Sequence, residues 1–233
     1  MLTKKSFAVL LGVLALLGAC SRTEPKISYG VLRLVYFEEP REVPAGDTAD
    51  TPREVPPPDI VEYYSFFIIP EDEDGLEDLD RLELCYDREG LIWSLSSEDW
   101  ISLRHEGQTW VGSRSIAMID GETLPRGQFR AALIDKGGEQ SERLFAFDAP
   151  AEARFPFPRC VIGETFYRIE SRYPGHYFIC YDAQGAVLGV LPLSSSGGNL
   201  AELEFPPGTR GIALWADDPE YSTAALTGVV SLP

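Results

Sequence analysis

The sequence is short of the residues from which common catalytic and metal sites are built. It contains two histidines, His105 and His176, and four cysteines without a Cys-x-x-Cys spacing, so neither a structural zinc site nor a thiol redox motif is indicated. "HEGQT" at 105–109 lacks a second histidine one helical turn later, and no nucleophile elbow or phosphate-binding loop occurs. These absences predict a protein that is not an enzyme and needs no cofactor.

Basic residues are also scarce. The chain has 20 Lys and Arg against 37 Asp and Glu, a net charge of −17. Loss of residues 1–19 would remove Lys4 and Lys5 and no acidic residue, which takes −17 to −19. So acidic a protein cannot bind nucleic acid by neutralising phosphates. A binding partner is expected to be basic, although acidity also serves solubility alone.

The N-terminal hydrophobic run is too short to cross a membrane. "SFAVLLGVLALL" (6–17) has 12 residues, whereas a transmembrane helix needs about 20. Lys4 and Lys5 precede the run and small residues follow it. This arrangement is typical of a secretory signal peptide.

The run ends in "LGAC" (17–20), which resembles the lipobox of bacterial lipoproteins. The resemblance implies a signal peptide over 1–19, a diacylated Cys20 and a short tether over 20–26. Two or three acyl chains would hold the protein to a membrane, either the inner or the outer one, on its periplasmic side or at the cell surface. Ordinary secretion with an incidental cysteine is the alternative.

From Lys26 onwards, short apolar runs alternate with Gly, Pro and Asp, and helical periodicity is weak. This pattern predicts an all-β protein of antiparallel β-sandwiches rather than βαβ units. Between a predicted strand at 27–37 and the next one lies 38–59, in which six of 22 residues are Pro and "PREVP" occurs twice. That segment is interpreted as a long loop, with an extended spacer as the alternative.

Two phrases of the sequence recur in the same order. "LELCYDREG" (82–90) returns as "YFICYDAQG" (177–185), and "PRGQFRAAL" (125–133) aligns without gaps on "PPGTRGIAL" (206–214). In the first phrase, Asp followed three residues later by Gly is typical of a hairpin turn. The recurrence predicts two homologous β-domains at 27–149 and 155–233, joined by a linker at 150–154.

Two stretches resemble fibronectin type III and immunoglobulin-like modules. They are "IIPEDEDGLEDLDRLELCYDREG" (68–90) and the late strand that follows Pro-x-Gly in "PPGTRGIAL" (206–214). The chain departs from antibody domains because no Cys pair brackets a core Trp and no tyrosine corner is evident. The resemblance implies tandem sandwiches that bind or space other molecules.

The acidic run "EDEDGLEDLD" (71–80) is a candidate metal site. Calcium takes six to eight oxygen ligands, and Asp72, Asp74 and Asp78 could supply some of them. The EF-hand spacing is absent, since its first position falls on Pro70 and its twelfth on Arg81. A solvated loop between strands is the alternative.

If Cys20 is lipidated, three cysteines remain. A disulfide between Cys160 and Cys180 is the most natural pairing, and three buried thiols are the alternative. Cys85 and Cys180 hold the same place in the repeated phrase, so a shared packing environment is expected.

Three tryptophans, Trp93, Trp100 and Trp110, fall within 18 residues, where the first half is 14 residues longer than the second. Core filling is the simplest explanation. If the additional residues form a loop or hairpin, Trp100 and Trp110 lie at a surface, and 96–123 is a candidate recognition region.

These features predict a non-catalytic, membrane-anchored bacterial lipoprotein that binds or scaffolds an envelope protein. The alternative is a ligand-binding lipoprotein, possibly dependent on calcium through the acidic run.

Overall fold

A computed structural model describes residues 23–39, 60–105, 107–119 and 122–232 of the chain. The predicted signal peptide, Cys20, the start of the tether and residues 40–59 of the Pro-rich segment lie outside this part. Within it, strands dominate and the helical elements are single turns of 3-10 helix. The predicted all-β class is confirmed, whereas the immunoglobulin-like resemblance stays a prediction.

The strands are short and follow the apolar runs of the sequence. In the described part of the chain they are β1 (Lys26–Glu38), β2 (Ile60–Glu71), β3 (Leu79–Tyr86), β4 (Leu91–Ser96), β5 (Ile101–His105), β6 (Gln108–Ile116), β7 (Gly127–Asp135), β8 (Gln140–Phe147), β9 (Arg159–Ile162), β10 (Phe166–Glu170), β11 (Gly175–Tyr181), β12 (Val187–Pro192), β13 (Gly197–Asn199), β14 (Gly211–Asp218), β15 (Thr223–Leu226) and β16 (Val230–Ser231).

The chain divides into two compact units, each assembled from separate segments. Among the described residues, unit 1 contains those within 23–30, 68–112 and 130–144, and unit 2 contains those within 31–39, 60–67, 113–129 and 145–232. These units are not the predicted consecutive domains with a joint at 150–154. Strands β1, β2, β6, β7 and β8 each contribute residues to both.

Unit 1 is built on an antiparallel sheet with the order β4-β3-β7-β8. Along β3, buried and exposed residues do not alternate strictly. Leu82 and Leu84 are buried on one face of the strand, and Cys85 is buried on the other. The hairpin of β5 and β6 also belongs to this unit, with Ile101 opposite Gly112 and His105 opposite Gln108.

Unit 2 contains a sheet in which the order runs β12-β11-β14-β15-β1-β2-β6, with β16 pairing β14. Its β11 alternates cleanly, so that Phe178 and Cys180 face the core. A second, three-stranded sheet has the order β13-β10-β9. The core of this region consists of Tyr167, Ile169, Phe178, Cys180, Leu200, Ile212 and Leu214.

Strand pairing joins the two halves of the sequence within unit 2. β1, from the first half of the sequence, pairs in parallel with β15 from the second half, and Leu34 lies opposite Thr223. Local sequence patterns report turns between neighbouring strands, whereas a parallel pair requires a distant connection. A division by sequence order would therefore separate two strands that share backbone hydrogen bonds.

Both copies of the repeated phrase form the predicted hairpin. Gly90 and Gly185 adopt positive φ angles of 68° and 81°, which favour glycine at these turns. In each copy the hairpin is completed by a strand from the second phrase, giving β4-β3-β7 in unit 1 and β12-β11-β14 in unit 2.

The two three-stranded arrangements differ in register by one residue. Cys85 lies opposite Arg130, so the ungapped alignment of the phrases predicts that Cys180 lies opposite Gly211. In the structure Cys180 lies opposite Ile212. Because side chains alternate between the faces of a strand, a shift of one residue changes which face each side chain meets.

Candidate functional site

The predicted recognition region contains the β5–β6 hairpin of unit 1. Trp110 lies on β6 directly opposite Leu103 of β5, and its ring makes an edge-to-face contact with Tyr29, with centroids 5.8 Å apart. Tyr29 is 52% exposed and Leu103 is 47% exposed. We call Tyr29, Leu103 and Trp110 the aromatic strip.

Trp100 lies elsewhere in this region. It closes the turn before β5, where its backbone N–H donates to the Ser96 carbonyl at 3.1 Å, and its side chain is half-buried. The structure therefore places Trp110, but not Trp100, among the members of the aromatic strip. Partner binding by either tryptophan stays a prediction.

In the described part of the chain, β5 pairs with β6 and with no other strand, so its outer edge is unpaired. Ser102, Leu103, Arg104 and His105 are all exposed. An exposed strand at the end of a sheet presents backbone groups that an extended segment of another protein can pair with. The aromatic strip lies beside this edge.

The acidic loop is held largely by hydrogen bonds within unit 1. The Asp72 carboxylate accepts from the Asp74 backbone N–H at 2.8 Å, and the Asp74 carboxylate accepts from the backbone N–H and hydroxyl of Thr23 at 3.2 and 3.1 Å. Asp78 belongs to the 3-10 turn Leu76–Asp78. Across the described ranges, no group of three or more His, Cys, Asp or Glu is arranged to hold a metal ion; calcium binding stays a prediction.

Cys85, Cys160 and Cys180 are free thiols in the structure, so the predicted Cys160–Cys180 disulfide is not formed there. Cys180 belongs to the core of unit 2, and Cys160 packs against the same core. Burial raises the pKa of Cys160 to about 11, which keeps this thiol protonated and unreactive at neutral pH.

A feature that the sequence did not indicate is a cavity of about 610 Å³ in unit 2. We call it the Tyr36 cleft. Its size falls within the range of about 300–1,000 Å³ that is typical of small-molecule sites. It is lined by Tyr36, Ile60, Val61, Glu62, Glu122, Thr123, Ala153, Arg154, Phe155, Pro156, Phe157 and Tyr173.

Two phenols define the polar part of this cleft. Tyr36 is 6% exposed and Tyr173 is 4% exposed. Burial raises the pKa of Tyr36, the Glu62 carboxylate raises it further, and Arg126 opposes the shift. Burial also raises the pKa of Tyr173 to about 12. Both phenols are therefore neutral at physiological pH.

Two arginines are paired with three carboxylates around the cleft. Arg126 donates to Glu62 at 2.8 Å, and both side chains are mostly buried. Arg154 lies 3.6 Å from Asp218 and 3.3 Å from Glu220, and its guanidinium stacks 4.2 Å from the centre of the Tyr221 ring. Each of these two arginines therefore has at least one acidic partner.

The apolar part of the cleft comes from Phe155, Pro156 and Phe157. Phe155 contacts Tyr173 edge to face, with ring centroids 5.2 Å apart. The predicted linker at 150–154 ends at Arg154, immediately before these residues. The alternation of Phe and Pro in "RFPFP" (154–158) is the one local signal for the cleft, whereas Tyr36 and Tyr173 meet only through the tertiary fold.

No protein-family model and no curated protein matches the chain. Among solved structures, it is similar to Tp47, the 47-kilodalton lipoprotein of Treponema pallidum, at 12% identity and a TM-score of 0.40, over 71% of this chain and 46% of that one. It is also similar to the BSP domain of a biofilm-associated protein, at 13% identity and a TM-score of 0.24, over 72% of this chain and 27% of that one. The chain spans less than half the length of either, and the class that its own strands define is an all-β protein.

Helices that could cross a membrane are absent from the described part of the chain.

Proposed function

We propose that the chain is a non-catalytic, lipid-anchored protein of a bacterial envelope that binds a protein partner through unit 1. The aromatic strip beside the exposed end strand β5 carries this proposal. Support for the anchor comes from the "LGAC" string at 17–20, which lies outside the described residues.

The proposed contact has two parts. An extended segment of the partner pairs with the outer edge of β5 through backbone hydrogen bonds, and apolar side chains of the partner cover Tyr29, Leu103 and Trp110. Aromatic residues commonly provide much of the binding energy at such surfaces. The acidity of the chain favours a partner with basic residues around its apolar contact.

The test is a pull-down from detergent-solubilised cells with the lipidated protein. Leu103→Asp places a charge in the aromatic strip, and it is expected to abolish recovery of a stoichiometric envelope partner. Leu144→Asp is the matched control, because Leu144 is 61% exposed on the end strand β8 of the other sheet of unit 1. Equal recovery with both variants would refute binding at β5.

The anchor is tested separately with Cys20→Ala. This variant is expected to incorporate no fatty acid label and to leave the membrane fraction. Membrane association that persists in it would contradict lipid anchoring at Cys20 while leaving the β5 contact open to its own test.

A further inference from the structure

A groove of about 890 Å³ runs along strand β9 in unit 2. We call it the β9 groove, and the residues that line it include Ile60, Arg159, Val161, Arg172 and Val230. Its volume falls within the range of about 300–1,000 Å³ that is typical of ligand sites. The groove is therefore large enough to hold several side chains of another molecule.

β9 leaves one of its backbone edges unpaired. In the described part of the chain it pairs with β10 and with no other strand. The Gly163 N–H donates to the Phe166 carbonyl at 2.8 Å, and hydrogen-bonded pairs alternate along an antiparallel ladder. Val161 therefore bonds to β10, whereas the backbone N–H and C=O of Cys160 point to the other side. Because Cys160 lines the groove, an extended segment placed there can hydrogen-bond to β9.

The groove presents apolar side chains from three separate segments of the chain. Ile60, Val161 and Val230 are exposed, and all three line the groove. β16, which contains Val230, pairs with β14 and with no other strand of the described ranges. Exposed apolar side chains grouped in one patch commonly mark a surface that binds another molecule. An occupant with apolar side chains would bury them.

Two arginines give the groove a local positive charge. Arg159 and Arg172 are exposed, and neither forms an ion pair with a described residue. Glu170 lies opposite Arg159, but its carboxylate pairs with Arg168 at 2.9 Å. Glu38, the other acidic residue of the wall, accepts from a backbone N–H of the wall at 3.4 Å. In a chain with a net charge of −17, two arginines without acidic partners favour carboxylates in the occupant.

The charged and apolar side chains follow one another along the groove. Arg159 and Val161 are two residues apart, so their side chains lie on the same face of β9. Arg172 follows Glu170, which lies opposite Arg159, so both arginines lie towards the N-terminal end of β9. An occupant that pairs with β9 therefore needs acidic residues at one end and apolar residues further along.

We propose that the β9 groove binds an extended peptide segment of another protein, with apolar side chains against Val161 and its neighbours and carboxylates against Arg159 and Arg172. The segment adds a strand to the unpaired edge of β9. This site lies in unit 2 and does not depend on the proposed partner surface of unit 1.

The test uses a blocked heptapeptide of alternating threonine and valine that ends in two glutamates. The control is the same peptide ending in two lysines. Titration calorimetry with the full-length protein is expected to give a Kd of about 1 mM or lower for the acidic peptide, and binding about 10-fold weaker for the lysine peptide. The net charge of the chain alone would favour the lysine peptide. That preference, or failure of the acidic peptide to bind, would overturn the proposal.

Arg159→Gln and Arg172→Gln then test the contact itself. Each is expected to weaken binding of the acidic peptide about 3- to 10-fold. Arg88→Gln is the matched control, because Arg88 is an exposed arginine in the β3–β4 turn of unit 1, and it is expected to leave the affinity unchanged. Equal affinity in all three variants would place the peptide elsewhere and overturn the proposal.

Hydrogen exchange at the Cys160 amide tests strand addition directly. This N–H is expected to exchange rapidly in the free protein and about 10-fold or more slowly when the acidic peptide is bound, with the amides of β5 unchanged. A Cys160 amide that is already protected without peptide would show that another segment of the chain, or a second copy, occupies the edge. That result, or peptide-dependent protection at β5 instead of β9, would overturn the proposal.

Discussion

The β3–β4 hairpin of unit 1 and the β11–β12 hairpin of unit 2 contain the same phrase but place it in different surroundings. Cys180 lies in an apolar core beside Phe178 and opposite Ile212. Cys85 lies opposite Arg130, on the strand face that does not carry Leu82 and Leu84. Both cysteines are buried, at 1% and 0% exposed, but the residues around them differ.

The difference arises from register. Both phrases produce a strand, a turn and a second strand, because Asp and Gly determine the turn locally. The third strand joins from a distant part of the sequence, and its one-residue difference in register places Arg130 opposite Cys85 but Ile212 opposite Cys180. Similarity of sequence therefore predicted similar hairpins but not a similar core.

The largest expected contrast is between Phe178 and Glu83, which occupy the same place in the phrase. Phe178 is fully buried and contacts Tyr167 edge to face at 5.4 Å, so Phe178→Ala is expected to lower the free energy of unfolding by about 3–5 kcal/mol. Glu83 pairs with Arg81 at 2.9 Å on the surface, and Glu83→Ala is expected to change stability very little. Denaturant unfolding of both variants measures the two losses of stability. Equal losses would contradict the conclusion that Phe178 is buried and Glu83 lies at the surface.

Alkaline pH tests the buried phenol of unit 2. Burial raises the pKa of Tyr173 from 10.0 to about 12, so above pH 10 the unfolded chain loses a proton that the folded protein retains. Stability contributed by this group is fully present below pH 10 and is lost as the pH rises towards 12, by about 3 kcal/mol in total. Denaturant unfolding at pH 9 and pH 11.5 measures the loss.

The control for this measurement is Tyr173→Phe, which removes the titrating group. It is expected to show a shallower decline over the same interval. If its decline is as steep as that of the original protein, Tyr173 is not the group responsible.

Serine substitutions compare the two cysteines directly. Cys180→Ser buries a hydroxyl in the apolar core of unit 2 and is expected to destabilise the protein by about 2 kcal/mol. Cys85→Ser is expected to destabilise it by less than about 1 kcal/mol, because Arg130 and its partners provide a polar neighbourhood. Thermal unfolding of both variants provides the measurement. A greater loss of stability in Cys85→Ser than in Cys180→Ser would contradict the conclusion that Cys180 has the more apolar surroundings.

The turn aspartates give the smallest expected effects. The Asp182 carboxylate accepts from the backbone N–H groups of Gln184 and Ala186 at 2.9 and 2.8 Å, so Asp182→Ala is expected to lower stability by about 1 kcal/mol. Asp87 instead accepts from Arg130 at 2.8 Å on the surface. Asp87→Ala is expected to have a smaller effect that disappears at high salt.

The hydrogen bond from Arg130 lowers the pKa of Asp87. The contribution of this pair is therefore present above the unfolded pKa of the carboxyl group and is lost as the pH falls through its folded value. Urea unfolding of Asp87→Ala and Asp182→Ala at low and high salt distinguishes the two roles. If the loss of stability in Asp182→Ala depended on salt, this would contradict the conclusion that Asp182 acts through hydrogen bonds to the turn backbone.

Residues near one another in the sequence determined the local structure of this protein. Alternating apolar runs predicted an all-β fold, and the Asp-x-x-Gly turns predicted both hairpins, since φ preferences and side-chain periodicity act over a few residues. The "LGAC" string led to the proposed anchor in the same way, without reference to the fold.

The tertiary structure alone decided the two units, the register of each third strand and the Tyr36 cleft. Tyr36 and Tyr173 are 137 positions apart in the sequence (173 − 36). Both line the cleft because of pairings such as β1 with β15 that no local pattern reports. The physical reason is that long-range pairing and burial are selected by the combined packing of many distant side chains. A short phrase, even a repeated one, specifies its turn but not its neighbours.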